Sequence, residues 1–141
     1  MEATPGQFPE TFIDKLAWIC LNNRKILSTR SHGKDTYYIP GGKREHNETD
    51  HQALMREIKE ELSIHLIPET IAYFGTFQTQ AHGKPEGIMV QMTCYTSDFT
   101  GEIKPDSEIE EIVWLDYEGK EKSSPVDKLI FEDLKTKHLI D

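Results

Sequence analysis

The sequence predicts an α/β (α+β) fold in a single domain. Runs rich in β-branched and aromatic residues alternate with two helical segments, which is typical of a domain that combines strands and helices. The chain has 141 residues, about the size of one compact domain, so we expect one core over residues 1–141. Within that domain we expect residues 1–10 to be flexible.

The strands and helices are predicted from turn, cap and breaker residues. An Asn-Asn pair at 22–23 joins two β-prone runs as a hairpin, and a Pro-Gly-Gly run at 40–42 ends a short strand in a sharp turn. Thr49 or Asn47 can cap the first helix, and Pro125 suits the first turn of the last helix. The predicted elements are, in order, strands 15–21, 24–30 and 36–39, helix 49–62, strands 70–79, 87–99 and 109–115, and helix 125–138.

Composition narrows the functional classes. A net charge of −9 disfavours binding of a nucleic-acid polymer. The sequence contains neither an apolar run of the ~18 residues that a membrane helix needs nor an N-terminal secretion signal, so we expect a cytoplasmic protein without membrane contact. Cys20 and Cys94 each lie among apolar or β-prone residues, which favours free thiols over a disulfide.

The first helix carries acidic residues close together. At ~100° per residue, Glu57, Glu60 and Glu61 share one face of that helix. The apolar residues beside this face point toward the expected core: Leu54, Ile58 and Leu62. Like charges at this spacing destabilise a helix, and a magnesium ion, which prefers oxygen ligands, would relieve the repulsion. The alternative is a solvated acidic face.

Residues 42–64 add a fixed spacing to this acidic face. They resemble the Nudix hydrolase signature G-x5-E-x7-R-E-U-x-E-E-x-G-U, in which U is a bulky apolar residue. The matching residues are Gly42, Glu48, Arg56, Glu57, Ile58, Glu60, Glu61 and Ile64. Ser63 stands where the signature has its last glycine. A left-handed serine costs ~1 kcal/mol relative to glycine, which affects the path after the helix, but Ser63 supplies no ligand atom and we expect activity to survive.

The resemblance implies a Nudix fold, a mixed β-sheet sandwiched between α-helices. It implies Mg²⁺ as the cofactor, with Mn²⁺ as a substitute, bound by Glu57, Glu60, Glu61 and the carbonyl of Gly41. It also implies that Arg56 orients a glutamate by ion pairing. Glu48 would steady the loop and helix. Glu57 is the first choice for orienting or deprotonating the attacking water, with Glu60 or a later loop glutamate as rivals.

Residues outside the signature are candidates for binding the substrate. Arg30 and Lys43 flank the glycine turn and are expected to contact phosphate oxygens, although an exposed loop lysine is the alternative for Lys43. Tyr37, Tyr38 and Phe77 can stack on a base, or pack in the core.

Later acidic residues and the histidines need separate interpretations. Glu108 and Glu111 are expected to supply a further metal ligand or to read the base, with plain surface charge as the alternative. His46, His51 and His82 have no metal-like spacing, so exposed or structural roles are expected for them.

The implied reaction is hydrolysis of the diphosphate linkage in a nucleoside diphosphate joined to another group. A nucleoside triphosphate, cleaved to monophosphate and pyrophosphate, is the first candidate substrate. ADP-ribose, a nucleotide-sugar and a dinucleoside polyphosphate are alternatives. A domain that senses nucleotides without catalysis is a different class, and an isomerase of prenyl diphosphates is disfavoured because no cysteine lies near residues 42–64. A homodimer is also expected.

Overall fold

The computed structural model describes residues 12–80, 84 and 87–141. The strands are β1 (Phe12–Trp18), β2 (Leu21–Asn22), β3 (Lys25–Ser31), β4 (Gly41–Gly42), β5 (His65–Leu66), β6 (Ala72–Gln80), β7 (Met89–Thr96), β8 (Phe99–Thr100) and β9 (Ile109–Leu115). The helices are α1 (Asp50–Leu62) and α2 (Pro125–Thr136), with 3₁₀ turns at Pro68–Thr70 and Tyr117–Lys122. The segment predicted to be flexible, 1–10, and most of the predicted turn at 81–86 lie outside the described residues.

A four-stranded mixed sheet lies between the two helices, as predicted. Its strand order is β4-β1-β7-β6, with β1 parallel to β7 and the other pairs antiparallel. Because successive side chains of a strand point to opposite faces, β1 serves two cores. Leu16 and Trp18 pack with α1, whereas Ala17 and Ile19 pack with α2. Smaller sheets, β2-β3-β9 and β5-β8, complete the fold.

The predicted hairpin between residues 15–21 and 24–30 is largely wrong. β1 pairs with β4 and β7 instead. This strand ends at Trp18, and only the two residues of the next strand, β2, pair with β3. The turn itself is as tight as expected, since Asn23 and Arg24 have φ values of 53° and 61°. β1 is buried on both faces and therefore occupies the centre of a sheet, a position that adjacency in sequence does not reveal.

Residues 36–42 also differ from the prediction. Tyr37 and Tyr38 form isolated bridges to Ser123 and Thr29 rather than a strand. Gly41 and Gly42 do not turn sharply but form β4 against β1. A Cβ on Gly41 would overlap the carbonyl oxygen of Leu16, so glycine is needed for this close approach of two backbones. The short strand β8 was not predicted as a separate strand either.

The predicted helices are confirmed. Thr49 caps α1, its hydroxyl accepting the Gln52 N–H while the Gln52 side chain accepts the Thr49 N–H, a reciprocal capping box. Ser63 ends α1 in the left-handed conformation expected from the motif, with φ 63° and ψ 29°, so the path after the helix tolerates serine. α2 begins at Pro125, as predicted, and ends at Thr136.

The two cysteines agree with the prediction from sequence. Cys20 and Cys94 are free thiols, and Cys94 is buried. In the described part of the chain, neither helix combines the length and the apolar character needed to cross a membrane.

Candidate active site

One cleft, with a volume of about 410 Å³, brings together several of the residues predicted from sequence. Gly41 and Lys43 reach it from β4 and the loop that follows, Glu57 and Glu61 from α1, and Glu108 from the loop before β9. These segments are far apart in sequence. They meet because β4 pairs with β1 beneath α1, which sets the glycines directly below the acidic face of the helix.

Two of the three carboxylates of the cleft, those of Glu57 and Glu61, are largely shielded from solvent, whereas Glu108 is exposed. Glu61 is only 7% exposed, and its Oε1 accepts the Gly41 N–H at 3.2 Å. Burial, and next the charge of Glu57, raise the pKa of Glu61 to about 8. Burial also raises the pKa of Glu57, and the charge of Glu108 acts in the same direction on both. Such a group of acids strongly favours a cation or a proton among them.

Glu60 shares the helix face but not the depth of its neighbours. Its side chain is 52% exposed and lies 3.4 Å from Nη1 of Arg56. In their present rotamers, no three His, Cys, Asp or Glu side chains among the described residues are arranged to hold a metal ion. The helical spacing places the three glutamates on one face, but it does not determine which of them the neighbouring strands bury.

Arg56 joins the loop after β4 to helix α1. Its Nε and Nη2 donate to the two carboxylate oxygens of Glu48, at 2.7 and 2.9 Å. Nη1 lies 3.3 Å from Glu57, and Nη2 also donates to the Lys43 carbonyl at 3.0 Å. The arginine hydrogen bonds lower the pKa of Glu48 to about 2, so Glu48 is charged throughout the physiological range. We call Arg56, Glu48, Glu57 and Glu60 the Arg56 cluster.

Gly42 is packed directly against the Glu57 carboxylate. A Cβ at this position would overlap the carboxyl group. The first glycine of the signature therefore leaves the space in which Glu57 faces the cleft, a reason for glycine that concerns space rather than backbone angles.

A comparison with protein-family models decides which family the chain belongs to. The family model described as NUDIX domain matches residues 15–134. The chain belongs to the Nudix family. No curated protein sequence matched it.

Solved structures share the Nudix fold. The solution structure of the ORF135 protein of E. coli is 27% identical, with a TM-score of 0.70, covering 92% of this chain and 95% of that one. The MutT protein of Methanosarcina mazei is 19% identical, with a TM-score of 0.70 and coverages of 90% and 95%. The MutT protein of Bacillus halodurans is 21% identical, with a TM-score of 0.65 and coverages of 84% and 79%. The last two likenesses concern the fold.

Other candidates lie away from the Nudix cleft. Arg30 binds Glu111 at 2.9 Å and Glu110 at 3.2 Å, and the Tyr37 hydroxyl donates to Glu111 at 2.8 Å. We call these four residues the Arg30 cluster; they are not among the described residues that line the cleft. Phe77 is half-buried and packs against the core on the α2 side of the sheet.

The histidines occupy the surface where the structure describes them. His46 and His51 are exposed, and His51 lies edge-on against Tyr95 with ring centroids 5.4 Å apart. His82 lies outside the described residues.

The sequence reasoning missed several residues of the cleft wall, namely Lys15, Thr29, Ser31 and Met92, and it considered Tyr38 only for stacking. Lys15 had a detectable signal. By strand alternation it shares a face of β1 with Ile13 and Ala17, which pack in the core on the α2 side. A lysine on the core-facing side of a central strand is unusual and indicates a cavity or a buried partner.

Proposed function

We propose that this Nudix protein hydrolyses the diphosphate linkage of a nucleoside diphosphate derivative, with a nucleoside triphosphate, cleaved to monophosphate and pyrophosphate, as the first candidate. Members of the family are in general hydrolases of pyrophosphate bonds in nucleotide-type molecules. The observation that carries the proposal is the meeting of Glu57, Glu61 and Glu108 in one cleft beside the β4 glycines.

The residues present fit a divalent cation. Nudix hydrolases generally use ions such as Mg²⁺. The cleft offers hard carboxylate oxygens, and because burial and mutual repulsion disfavour their negative charges, a cation beside them is favourable. Glu57, Glu61 and the Gly41 carbonyl would hold Mg²⁺, or Mn²⁺ in its place, and Glu60 would join after leaving Arg56. When bound, the ion supplies charge neutralisation at phosphate oxygens and a lowered pKa for water.

The chain's own groups then have separate tasks. Glu57 faces the cleft and accepts a proton from the attacking water, with Glu60 or Glu108 as the rival base. Arg56 holds Glu57 in place through its Nη1, and Glu48 in turn holds Arg56 through two hydrogen bonds. Lys43, exposed at the rim, binds the phosphates of the substrate.

A screen of substrates with Mg²⁺ tests this function. Nucleoside triphosphates, ADP-ribose, nucleotide-sugars and dinucleoside polyphosphates are compared by release of phosphorylated products. Glu60→Gln should lower turnover on the order of 10²-fold with the fold intact, because it removes a charged ligand. Glu69→Gln, the same change on an exposed 3₁₀ residue, is the matched control and should keep full activity.

The screen also separates the alternatives. Turnover of ADP-ribose, a nucleotide-sugar or a dinucleoside polyphosphate in preference to triphosphates would replace the first candidate. Tight binding of one nucleotide without any turnover would favour a sensing domain. Wild-type rates in Glu60→Gln would contradict its role at the metal. The cytoplasmic location and the homodimer stay predictions, the latter open to a measurement of mass in solution.

A further inference from the structure

Lys15 lies where two cavities of the Nudix domain join. The 410 Å³ cleft and a smaller cavity of about 90 Å³ share three lining residues, Lys15, Tyr38 and Met92. Beyond the shared residues the smaller cavity is lined mainly by apolar side chains, among them Ile13 and Val126, with Lys84 and Ser124 as its polar members. On the other side of the junction lie the acidic residues of the cleft. The Lys15 ammonium is 5.9 Å from the centre of the Tyr38 ring, which places its charge at the junction.

Lys15 forms no close ion pair with any of the described residues. Among the residues that the structure describes, no carboxylate oxygen lies within 4.0 Å of its ammonium nitrogen. Burial, and next the charge of Lys43, lower the pKa of Lys15, whereas the charges of Asp127, Glu61 and Glu57 act to raise it. A cation with several acids nearby, but none in contact, can accept an anionic ligand without first breaking a salt bridge.

Asp127 is a buried acid whose charge acts on Lys15. This aspartate of α2 has no exposed surface, so it cannot touch a ligand. Its Oδ2 accepts the N–H of Ile39 at 2.8 Å, which ties α2 to the segment leading into β4. Its charge attracts the Lys15 ammonium and also acts on the Tyr38 hydroxyl. Burial raises the pKa of Asp127 to about 7, so above that pH it is a buried counter-charge to Lys15.

On the basis of the function proposed above, we propose that Lys15 binds the phosphate that stays on the nucleoside, with Asp127 as its positioning residue. The acidic side of the cleft can accept phosphates only together with cations, so the phosphates that are cleaved off belong there. The organic part of the substrate fits the apolar side. The phosphate between them then meets the one lysine that both cavities share with Tyr38 and Met92.

The test is binding of a nucleoside monophosphate in EDTA, where the acidic residues cannot recruit a metal ion. Calorimetry with AMP, GMP, CMP and UMP selects the tightest one. Lys15→Met should weaken its binding roughly tenfold or more, because a charged hydrogen bond is lost, whereas the parent nucleoside should bind as to the wild type. Lys15→Arg should stay within about threefold of the wild type. Lys128→Met, which removes an exposed lysine next to Asp127, should change nothing.

A double-mutant cycle tests the role of Asp127. Asp127→Asn should weaken monophosphate binding by about threefold, and the double variant should bind like Lys15→Met alone, because the aspartate acts only through the lysine. A merely structural role would give additive losses and would weaken nucleoside binding as well. Thermal unfolding of each variant identifies any that fail to fold, in which case Lys15→Arg and Asp127→Asn carry the comparison.

Several outcomes would overturn the proposal. Equal monophosphate affinity in wild type and Lys15→Met, an equal loss for the bare nucleoside, or no monophosphate binding by the wild type in EDTA would each do so. Turnover of the wild type with Mg²⁺ is measured separately. If Lys15→Met does not affect turnover, the proposed hydrolase function holds and the role of Lys15 is contradicted. If monophosphate binding depends on Lys15 but no substrate is turned over, the role of Lys15 holds and the hydrolase function is contradicted.

Discussion

Arg56 and Arg30 each gather acidic side chains, yet only the Arg56 cluster adjoins the cleft. The two arginine side chains are equally exposed, at 22%, so burial does not distinguish them. The difference lies in their partners. Glu57, held by Arg56, is 17% exposed and lines the cleft, whereas Glu111, held by Arg30, is 40% exposed and bonds instead to Tyr37. An arginine serves a site through the carboxylate it orients, and its own burial says little about function.

The largest expected difference between the clusters comes from the same change in each. Glu57→Gln should lower kcat by ~10²-fold or more, since it removes the proposed base and a metal ligand. Glu111→Gln should leave kcat within about threefold of the wild type. Steady-state kinetics on the best substrate measure both, and an equal loss in the two variants would break the distinction.

Removing the arginines should give a smaller contrast. Arg56→Met should lower kcat by roughly 10- to 100-fold, because Glu57 and Glu48 lose the group that orients them. Arg30→Met should cost less than about threefold if its charge is spent on Glu110 and Glu111. The sequence alone led to the expectation that Arg30 contacts phosphate, and a rise in KM of tenfold or more in Arg30→Met would support that expectation.

The pH dependence of stability should differ between Glu61 and the acids that form ion pairs with Arg56. Arg56 forms no ion pair with Glu61. Since the folded protein keeps a proton on Glu61 up to about pH 8, against a usual pKa of 4.5, this residue's contribution to stability is full below pH 4.5. It is lost as the pH rises toward 8. Melting temperatures in EDTA should therefore fall less steeply over this range in Glu61→Gln. Asp127, with a pKa raised to about 7 by burial, contributes in the same direction in both proteins, so their difference isolates Glu61.

Mg²⁺ sharpens this test, because the ion competes with the proton at Glu61. Stabilisation of the wild type by Mg²⁺ should be larger at pH 8 than at pH 6. Identical melting curves with and without Mg²⁺ at pH 8 would argue against a cation at Glu61.

The smallest effect is expected at the end of α1, outside both clusters. Ser63→Gly relieves the left-handed strain of ~1 kcal/mol but loses the 2.9 Å hydrogen bond from Ser63 to Asp106. Ser63→Ala loses the hydrogen bond and keeps the strain, so the glycine variant should be the more stable of the two by about 1 kcal/mol. Chemical denaturation measures this, and turnover should be unchanged in both. A twofold or greater loss of turnover would show that this helix end reaches the site.

Where the sequence-based predictions succeeded, the causes were local. The capping box of Thr49 and Gln52 and the start of α2 at Pro125 depend on residues within one helical turn. Where they failed, the causes were distant partners. The run beginning at Lys15 was a good strand candidate, but its pairing with β7 rather than β3 depends on residues more than seventy positions away.

The sequence by itself determined the helices, the free thiols and the Nudix signature with its spaced acids, since these follow from contacts between near neighbours or from spacing alone. Only the tertiary structure decided which acid is buried, that Glu108 joins Glu57 and Glu61, and that Lys15 enters the cleft while the Arg30 cluster does not line it. The reason is physical. Burial, and the electrostatics that follow from it, are properties of whichever distant segments pack around a side chain, and no local pattern encodes their approach.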